Sequence, residues 1–412
     1  IITATFRNIP TLAVNNLTVE ETNGDNDSII NPGESASLIV NLFNPSNETV
    51  SNVIAIPQND NDLIDINTFE ITFPDLNAFG NSTANESINI ELSPYIPIGN
   101  HSIEINVLGD LESTSFEQIV QLNFNISILQ TGFPIEIETE VISSPLFLDS
   151  DLGINNPAIV FCDNNGFVHM VDNAGNDLWD APFDTGNEIW GAPAAADIDN
   201  DSEIEIVIAS KSKQIFIIDI HGNQEAYFDA SQFLTATPVI GNIDSDNELE
   251  IIIGSMSNSG KVYGLNHDLS AVEGYPVEIN EKMWVGAATI DINNDGMDEI
   301  IITTDAGNLY LINNDGTINS NFSINTGSNI RSAPSIAVFE NSQEKLIFFG
   351  NDAGEFYCIN SLGEIQFIIN TGEVIRSSPS LIEYNNNTYV FFTSDNNQIH
   401  AIDMYGNYLP NW

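Results

Sequence analysis

Short apolar runs rich in β-branched residues, separated by turns of Asn, Asp and Gly, extend along the whole 412-residue chain. In one stretch "IEIVIAS" is followed by the turn "KSK" and "QIFIIDI", and then by the turn "HGN" and "EAYFDA". Such short runs between turn residues are typical of β-strands, whereas a helix repeats its apolar positions about every 3.6 residues. The pattern therefore predicts an all-β protein.

The strand pattern repeats in the second part of the chain. A small-residue motif, "GAPAAAD" in one copy, recurs at intervals of 45 to 50 residues, at Pro145, Pro193, Pro238, Ala288, Pro334 and Pro379. Each interval holds up to four short strands, and this period is typical of β-propeller blades. Residues 131–412 are predicted to form a propeller with six visible four-stranded repeats and six or seven blades in the intact ring. Segment 133–137 is predicted to complete the last blade.

Residues 11–130 lack this period. They contain about seven alternating strands, among them "SASLIVNLFN" and "EQIVQLNFNISIL", which is typical of an immunoglobulin-like β-sandwich. The boundary is placed near "LQTGFP". Residues 1–10 are interpreted as a linker or the end of a preceding segment, because both ends of the chain look cut.

The charge balance restricts the partners. The chain has 59 Asp and Glu against 8 Lys and Arg, for a formal net charge of -51. Such a surface repels nucleic acids and anionic lipids and attracts cations, and no apolar run reaches the roughly 18 residues of a membrane span. Neither nucleic-acid binding nor membrane insertion is expected. The two cysteines, Cys162 and Cys358, lie in different repeats and are predicted to be buried free thiols.

Three acidic stretches follow the small-residue motif in one register. They read "DIDNDSEIE" (197–205), "NIDSDNELE" (242–250) and "DINNDGMDE" (291–299), with oxygen-bearing side chains at positions 1, 3, 5 and 9. Alternate residues of a curled loop point inward, so these side chains can surround one hard cation, with a main-chain carbonyl from position 7. The candidate calcium ligands are Asp197, Asp199, Asp201, Glu203 and Glu205; Asn242, Asp244, Asp246, Glu248 and Glu250; and Asp291, Asn293, Asp295, Met297 and Glu299.

These loops resemble the D-x-D-x-D-G-x-x-D/E calcium loops of FG-GAP and VCBS repeats, which occur in propellers of the integrin α-subunit type. The resemblance implies that the side chains at positions 1, 3, 5 and 9 bind Ca²⁺, together with the main-chain carbonyls at position 7. Only the third copy keeps the glycine, as Gly296. Because Ser202 and Asn247 replace it in the other copies, those two turns are predicted to be slightly strained.

Two weaker cation sites are also considered. "DSDLGINNP" keeps Asp149 and Asp151 but lacks the later ligands, so it is expected to bind weakly or not at all. In "NGDNDSIINPGES", Asp25, Asp27 and Glu34 flank either a structural turn or a metal site. The second stretch resembles the "NPGE" segment of sandwich modules in large secreted Bacteroidetes proteins.

No catalytic constellation is recognisable. The five histidines form no H-E-x-x-H motif, and no G-x-S-x-G elbow occurs, so the chain is not predicted to be an enzyme. Trp190 and Trp284 precede first strands and are interpreted either as a stacking platform for a sugar or peptide or as a plug of the central channel. Arg331 and Arg376 occupy the equivalent place in later repeats and are predicted to pair with carboxylates.

The sequence thus predicts a secreted or cell-surface, calcium-binding β-propeller that acts in binding or adhesion, with an extracellular glycan or protein as its ligand. One alternative is the non-catalytic C-terminal region of a larger secreted enzyme. "ITATFRNIP" and "NPGES" resemble the segment after the catalytic domain in gingipain-like and subtilisin-like proteases of Bacteroidetes. Another alternative is a propeller enzyme, such as a polysaccharide lyase or a quinone-dependent dehydrogenase.

Overall fold

The computed structural model describes residues 11–24, 29–112, 114–130, 132–149, 157–339, 344–384 and 387–410. Within these ranges every regular element is a β-strand, and no helix is long and apolar enough to cross a membrane. The chain divides into two compact units, Ile1–Glu136 and Ile137–Trp412. Asp25, Asp27 and Asp151 lie outside the described residues.

The first unit contains two antiparallel sheets. Its described strands are β1 (Ala13–Asn23), β2 (Ser35–Phe43), β3 (Ser51–Gln58), β4 (Ile64–Ile66), β5 (Ile71–Thr72), β6 (Asn81–Thr83), β7 (Ile88–Leu92), β8 (Gly99–Leu111) and β9 (Thr114–Ile126). One sheet has the order β1-β2-β7-β4, with β6 also paired to β2, and the other has the order β5-β3-β8-β9. Strands β4, β5 and β6 were not predicted, because two or three residues are too few to show an alternating pattern.

Alternation along the strands builds one core in this unit. In β2 every second residue is buried, and side chains of both sheets, such as Leu38 and Ile105, belong to a single apolar cluster. The Glu34 carboxylate accepts a hydrogen bond from the Asn31 amide at 2.8 Å, which closes the turn before β2. That contact favours the structural-turn interpretation of "NPGES".

The second unit is a series of six antiparallel sheets. The first three sheets contain β10 (Leu146–Leu148), β11 (Ala158–Cys162), β12 (Phe167–Asp172), β13 (Phe183–Asp184); β14 (Ala194–Ala196), β15 (Glu205–Ala209), β16 (Gln214–Asp219), β17 (Gln224–Asp229); and β18 (Val239–Gly241), β19 (Glu250–Gly254), β20 (Lys261–Leu265), β21 (Val277–Glu278). The last three contain β22 (Ala288–Ile290), β23 (Glu299–Thr303), β24 (Asn308–Ile312), β25 (Ile318–Asn325); β26 (Ser335–Phe339), β27 (Glu344–Gly350), β28 (Glu355–Asn360), β29 (Ile365–Asn370); and β30 (Ser380–Tyr384), β31 (Asn387–Ser394), β32 (Gln398–Asp403).

Five of these sheets have four strands in chain order, as predicted, but the sixth has three. Segment 133–137 forms no strand, so the prediction that it completes the last sheet is not confirmed. In the described residues up to 410, the segment after β32 pairs with this sheet through one isolated bridge, between Tyr408 and Ile402.

In the first five sheets the second strand is the most buried. Every residue of β15, β19 and β23 is buried, because neighbouring sheets pack on both faces of these Ile- and Val-rich strands. Val207 and Ile251, from consecutive sheets, belong to one apolar cluster. The same burial encloses Cys162 and Cys358, which are free thiols as predicted, and it raises the pKa of each to about 12.

The two ends of each sheet carry different connecting segments. Because neighbouring strands are antiparallel, the segment that leads into the first strand lies at the same end of the sheet as the loop between the second and third strands. In the second sheet these two segments are in contact, since the Lys211 amide donates to the Glu188 carbonyl at 2.9 Å. The Ala192 amide donates to Thr237 Oγ1 at 3.0 Å, which links this end of one sheet to the next. We call it the aromatic end, after Trp190. The opposite end, which carries the loops between first and second strands, is the acidic end.

Candidate metal centre

All three acidic stretches lie at the acidic end, between a first and a second strand. Position 9 is the first residue of the second strand in each copy, namely Glu205 in β15, Glu250 in β19 and Glu299 in β23. These carboxylates are almost completely buried, with exposures of 5%, 0% and 1%. The buried second strands thus fix one acidic side chain beneath each loop.

The position 9 carboxylate also closes the loop above it. One of its oxygens accepts a hydrogen bond from the main-chain amide at position 2 in every copy. The pairs are Glu205 with Ile198 (2.8 Å), Glu250 with Ile243 (2.7 Å) and Glu299 with Ile292 (2.9 Å). This contact sets the curl of the loop with one oxygen of the carboxylate and leaves the other oxygen to face the loop.

Two loops bring acidic oxygens close together. Among the described residues, two groups of three acidic side chains have oxygens within 4.8 Å of one another. They are Asp197, Asp199 and Glu205 in the first loop and Asp244, Asp246 and Glu250 in the second. Carboxylates at such distances repel unless a cation lies between them or one of them is protonated. Both groups could therefore hold a metal ion.

Three oxygens of these loops are buried without a hydrogen-bond donor. They are Asp197 Oδ1 and Asn242 Oδ1 at position 1, and Glu250 Oε1 at position 9. A buried acceptor with no partner is destabilising by about 1–3 kcal/mol, more if it is charged, and such atoms are rare in folded proteins. Ca²⁺ prefers carboxylate and amide oxygens, and two ions, one in each loop, would satisfy all three, so the residues present fit this ion.

The pKa values of the buried glutamates are raised, as expected for carboxylates that have no positive charge beside them. Burial raises the pKa of Glu250 to about 7, and the nearby Asp244 and Asp246 add to the rise, although the hydrogen bond from Ile243 opposes it. Burial likewise raises the pKa of Glu205 to about 7. Without a cation both side chains are therefore substantially protonated near neutral pH.

Position 5 orients position 7 in every copy. The position 5 carboxylate accepts a hydrogen bond from the position 7 amide. The pairs are Asp201 with Glu203 (2.8 Å), Asp246 with Glu248 (2.9 Å) and Asp295 with Met297 (2.9 Å). In the first two loops the second oxygen of this carboxylate stays available to a cation.

The third loop differs from the other two. Asn293 Nδ2 donates to Asp295 Oδ2 at 2.9 Å and to Glu299 Oε1 at 2.8 Å, and Lys345 Nζ donates to the main-chain carbonyl of Asp291. Protein groups thus satisfy the oxygens that a cation would need. Asn293 thus holds Asp295 and Glu299 together, but among the described residues three acidic oxygens do not gather in this loop as they do in the first two.

Sequence reasoning missed two side chains beside these loops. Burial raises the pKa of Glu225, at the start of β17, and the charges of Asp219 and Asp199 add to the rise, so Glu225 lies near the first loop. Asn314 Nδ2 donates to Asp295 Oδ2 of the third loop at 3.3 Å. Both follow third strands, and the register of the acidic loops carries no signal for them.

The predicted strain is present in one loop and absent from another. Ser202 has a φ of 76°, in the left-handed region, where Gly296 of the third loop has a φ of 93°. Asn247, at the same position of the second loop, is not among the described residues with positive φ. The prediction was therefore right for Ser202 and wrong for Asn247.

Substituting Ser202 tests this difference. Ser202→Gly is expected to raise the free energy of unfolding of the metal-free protein by about 0.5–1 kcal/mol, because glycine adopts positive φ without a Cβ clash. Asn247→Gly is the matched control and is expected to lower it by a similar amount, because there glycine only adds unfolded-state entropy. Urea unfolding in EDTA measures both. A stabilising Asn247→Gly would contradict the assignment.

The aromatic end contains a stack of rings and cations. The rings of Trp190 and Trp284 lie 6.0 Å apart between centroids, with an interplanar angle of 17°. Lys211 Nζ lies 4.2 Å from the Trp190 centroid, and the Arg331 guanidinium lies 5.2 Å from that of Trp284. Since cations and the other indole cover the rings, the geometry disfavours an open stacking platform for sugars.

Both arginines of this end pair with carboxylates, as predicted. Arg331 Nε lies 2.7 Å from Asp305 Oδ1, and Arg376 Nε lies 3.0 Å from Asp352 Oδ1. Although burial alone would raise it, the pKa of Asp305 is lowered, because Arg331 donates a hydrogen bond and supplies a positive charge.

The two histidines of third strands have packing roles. His400 is 6% exposed, stacks on Phe392 with centroids 4.7 Å apart, and forms hydrogen bonds with Ser394 Oγ and Tyr408 OH at 2.8 and 3.0 Å. Burial lowers its pKa. His169 stacks on Phe161 in the same way. The enclosed Ser394 hydroxyl offers no exposed nucleophile.

Comparisons with known proteins bear on the fold alone. No protein-family model matches the chain, and no curated protein matches it. The chain is similar to the solved structure of BBS1N in complex with ARL6DN, with a TM-score of 0.51 and 11% identity over 66% of this chain and 84% of that one. It also matches BamB from Moraxella catarrhalis (TM-score 0.47, 13% identity, 97% and 99% covered) and a quinohemoprotein alcohol dehydrogenase from Pseudomonas putida (0.46, 11%, 67% and 53%). The second unit consists of successive antiparallel sheets of three or four strands, and BBS1N is a β-propeller. Together these two findings identify the second unit as a β-propeller.

Proposed function

We propose that this chain is a secreted or cell-surface binding module in which a calcium-stabilised β-propeller of the FG-GAP and VCBS type follows an immunoglobulin-like sandwich. Its ligand is an extracellular glycan or protein. One observation supports the metal most strongly: buried oxygens without donors occur in two acidic loops at the positions that the repeat assigns to ligands.

The proposed ion joins the two strands of a sheet across their loop. In the second loop it would be held by Asn242, Asp244, Asp246 and Glu250, with the carbonyl of Glu248, and the first loop would hold a second ion through the equivalent residues. Bound Ca²⁺ supplies positive charge and oxygen coordination and no reactive group. The side chains at positions 1, 3 and 5 come from the loop and the side chain at position 9 comes from the buried strand, so the ion would fix the acidic end to the core.

An extracellular setting agrees with these ligands. Sites of extracellular modules typically have Kd values of about 10⁻⁴–10⁻³ M, which the calcium outside cells can fill. The net charge of -51 also favours a compartment rich in divalent cations, because unscreened self-repulsion destabilises a compact fold.

Replacing one buried carboxylate tests calcium binding independently of folding. Glu250→Gln keeps an acceptor for the Ile243 amide and removes the charge. Calorimetric titration of this variant is expected to show one bound Ca²⁺ ion fewer than the wild type. Each site should contribute about 2.7 kcal/mol at 100 times Kd, so the loss of one of two sites should halve the calcium-induced stabilisation. The metal-free variant should be no less stable than the wild type, because the neutral form is already favoured there.

Glu373→Gln serves as the control, because Glu373 is an exposed acid at the aromatic end. It should change neither stoichiometry nor stabilisation. Unchanged calcium binding by Glu250→Gln would contradict the site.

The binding role has its own test. The full chain should retain one class of glycan or protein from an array of extracellular ligands at about 1 mM Ca²⁺. Retention should fall in EDTA, because the propeller loosens without its ions. Equal retention of every ligand on the array would contradict a specific binding module.

A further inference from the structure

The sixth sheet lacks the strand that completes each of the other sheets. In the first five sheets the third strand pairs with a fourth strand, and the second residue of the third strand is completely buried. These residues are Val168, Ile215, Val262, Leu309 and Phe356, each with an exposure of 0%. The equivalent residue of β32 is Ile399, which is 63% exposed. Within the described part of the chain, the outer edge of β32 is thus covered only at the bridge to Tyr408.

The main chain of this edge has hydrogen-bonding groups that the other sheets use. In each of the first five sheets the amide after the fourth strand donates to the carbonyl before the third strand. The pairs are Thr185 to Gly166 (2.9 Å), Ala230 to Lys213 (2.9 Å), Ile279 to Gly260 (3.0 Å), Thr326 to Gly307 (2.9 Å) and Thr371 to Gly354 (2.8 Å). The equivalent carbonyl of the sixth sheet belongs to Asn397, and no described group donates to it. Because the Ala401 carbonyl accepts from Leu409 on this edge, the alternate residues Asn397 and Ile399 direct their main-chain groups to the same side.

The sheet face beside this edge is apolar and uncovered. One apolar cluster fills each of the five interfaces between consecutive sheets, and Val390 and Phe392 of the sixth sheet belong to the cluster shared with the fifth. Ile382 and Ile399 lie on the opposite face of the sixth sheet and are 51% and 63% exposed. A segment that paired with β32 would therefore bury apolar area as well as form main-chain hydrogen bonds.

We propose that residues 397–401, called the open edge below, are a docking site for an extended segment of a partner protein. The segment pairs with β32 as the missing fourth strand, which continues the strand pairing established in the five complete sheets. Among the described residues the chain offers no strand of its own for this place, since segment 133–137 forms none. The inference rests on the proposed binding function and names a protein, not a glycan, as the ligand.

The complete sheets define the chemistry of the partner segment. In every one of them the fourth-strand residue opposite the buried position is aromatic or aliphatic, and the next residue is Asp, Glu or Asn. The dipeptides are Phe183-Asp184, Phe228-Asp229, Val277-Glu278, Ile324-Asn325 and Ile369-Asn370. The partner segment should therefore place an aromatic or aliphatic side chain opposite Ile399 and an acidic or amide side chain opposite Gln398, and its next main-chain amide should donate to the Asn397 carbonyl.

The test uses a peptide copied from a complete sheet. The acetylated and amidated peptide "QEAYFDAS", residues 224–231, contains the fourth strand of the second sheet, and an isolated strand of this length does not fold by itself. Titration calorimetry measures its binding to the calcium-loaded full chain in about 0.15 M salt, which screens charge repulsion. We expect saturable binding of one peptide per chain.

Two modified peptides separate side-chain from main-chain contacts. Phe228→Ala in the peptide should weaken binding by about tenfold or more, because the aromatic side chain opposite Ile399 is lost. Methylation of the amide nitrogen at the Ala230 position removes the donor for the Asn397 carbonyl and should weaken binding by about threefold or more.

Two variants of the chain locate the site. Ile399→Asp places a charge in the open edge and is expected to weaken binding of the unmodified peptide by about tenfold or more. Ile119→Asp is the matched control, because Ile119 is a similarly exposed isoleucine (60%) in β9 of the first unit, and it should change the affinity less than about twofold. Circular dichroism and the calcium-induced shift in melting temperature verify that each variant is folded.

No saturable binding up to about 1 mM peptide would overturn the proposal, as would an unchanged affinity of the N-methylated peptide or of Ile399→Asp. Sedimentation equilibrium should show a monomer. A dimer that Ile399→Asp converts to a monomer would also overturn the proposal, in favour of a second copy of the chain at the open edge. A failure here with an intact calcium response refutes only this ligand class, whereas a failed calcium response refutes the metal sites of the proposed function.

Discussion

Addition of Ca²⁺ to the metal-free protein is expected to raise the melting temperature of the propeller by about 10 °C or more. Each ion that binds only the folded state adds about 2.7 kcal/mol at 100 times its Kd, and two sites contribute together. For a domain of roughly 150–250 residues, each kcal/mol shifts the melting temperature by about 2–4 °C. Differential scanning calorimetry in EDTA and in excess Ca²⁺ measures the shift.

Mg²⁺ provides the control for ion specificity. It is smaller, requires near-octahedral geometry and dehydrates reluctantly, so it should stabilise less than Ca²⁺ in these flexible loops. Melting temperatures that agree in EDTA and in excess Ca²⁺ would contradict a structural role of the ions.

The stability of the metal-free protein is expected to fall as the pH rises from about 5 to 8, by a few kcal/mol in total. The folded-state pKa of Glu205 and of Glu250 is about 7, above the ordinary value of 4.5. A carboxyl group with a raised pKa stabilises the folded state below 4.5, and this contribution is lost as the pH rises through 7. His400 acts in the opposite direction below its ordinary pKa of 6.5, because burial lowers its folded-state pKa. Urea unfolding across this pH range measures the net slope.

Calcium should remove this dependence, since the ion binds the charged carboxylates. Calcium binding near pH 6 should therefore release protons, which titration calorimetry detects in buffers of different ionisation enthalpy. Glu250→Gln is the control, and its metal-free stability should fall less steeply with pH. A stability profile that is flat or rises from pH 6.5 to 8 in EDTA would contradict the raised pKa values.

Local patterns predicted most of the strands. Strands β15, β16 and β17 match the predicted runs "IEIVIAS", "QIFIIDI" and "EAYFDA" to within one residue at each end, because a short β-branched or aromatic run between turn residues defines its own bounds. The strand expected at 133–137 did not form, although the same reasoning supported it. Strand pairing depends on a partner far along the chain, and the local pattern cannot supply that information.

The sequence predicted the spacing of the candidate ligands in the acidic loops but not which loops bring acidic oxygens close together. Positions 1, 3, 5 and 9 carry oxygen-bearing side chains in all three loops, yet only the first two loops gather three acidic oxygens in the described structure. In the third loop Asn293 contributes an amide, and Lys345 reaches in from 54 positions further along the chain.

Anomalous diffraction from crystals grown in millimolar CaCl₂ tests the central claim most directly. The account predicts anomalous peaks in the first and second loops, at about 2.3–2.6 Å from side-chain oxygens of Asp197, Asp199 and Glu205, and of Asn242, Asp244 and Glu250. Water or no density at both positions, with these carboxylates turned away from one another, would contradict it.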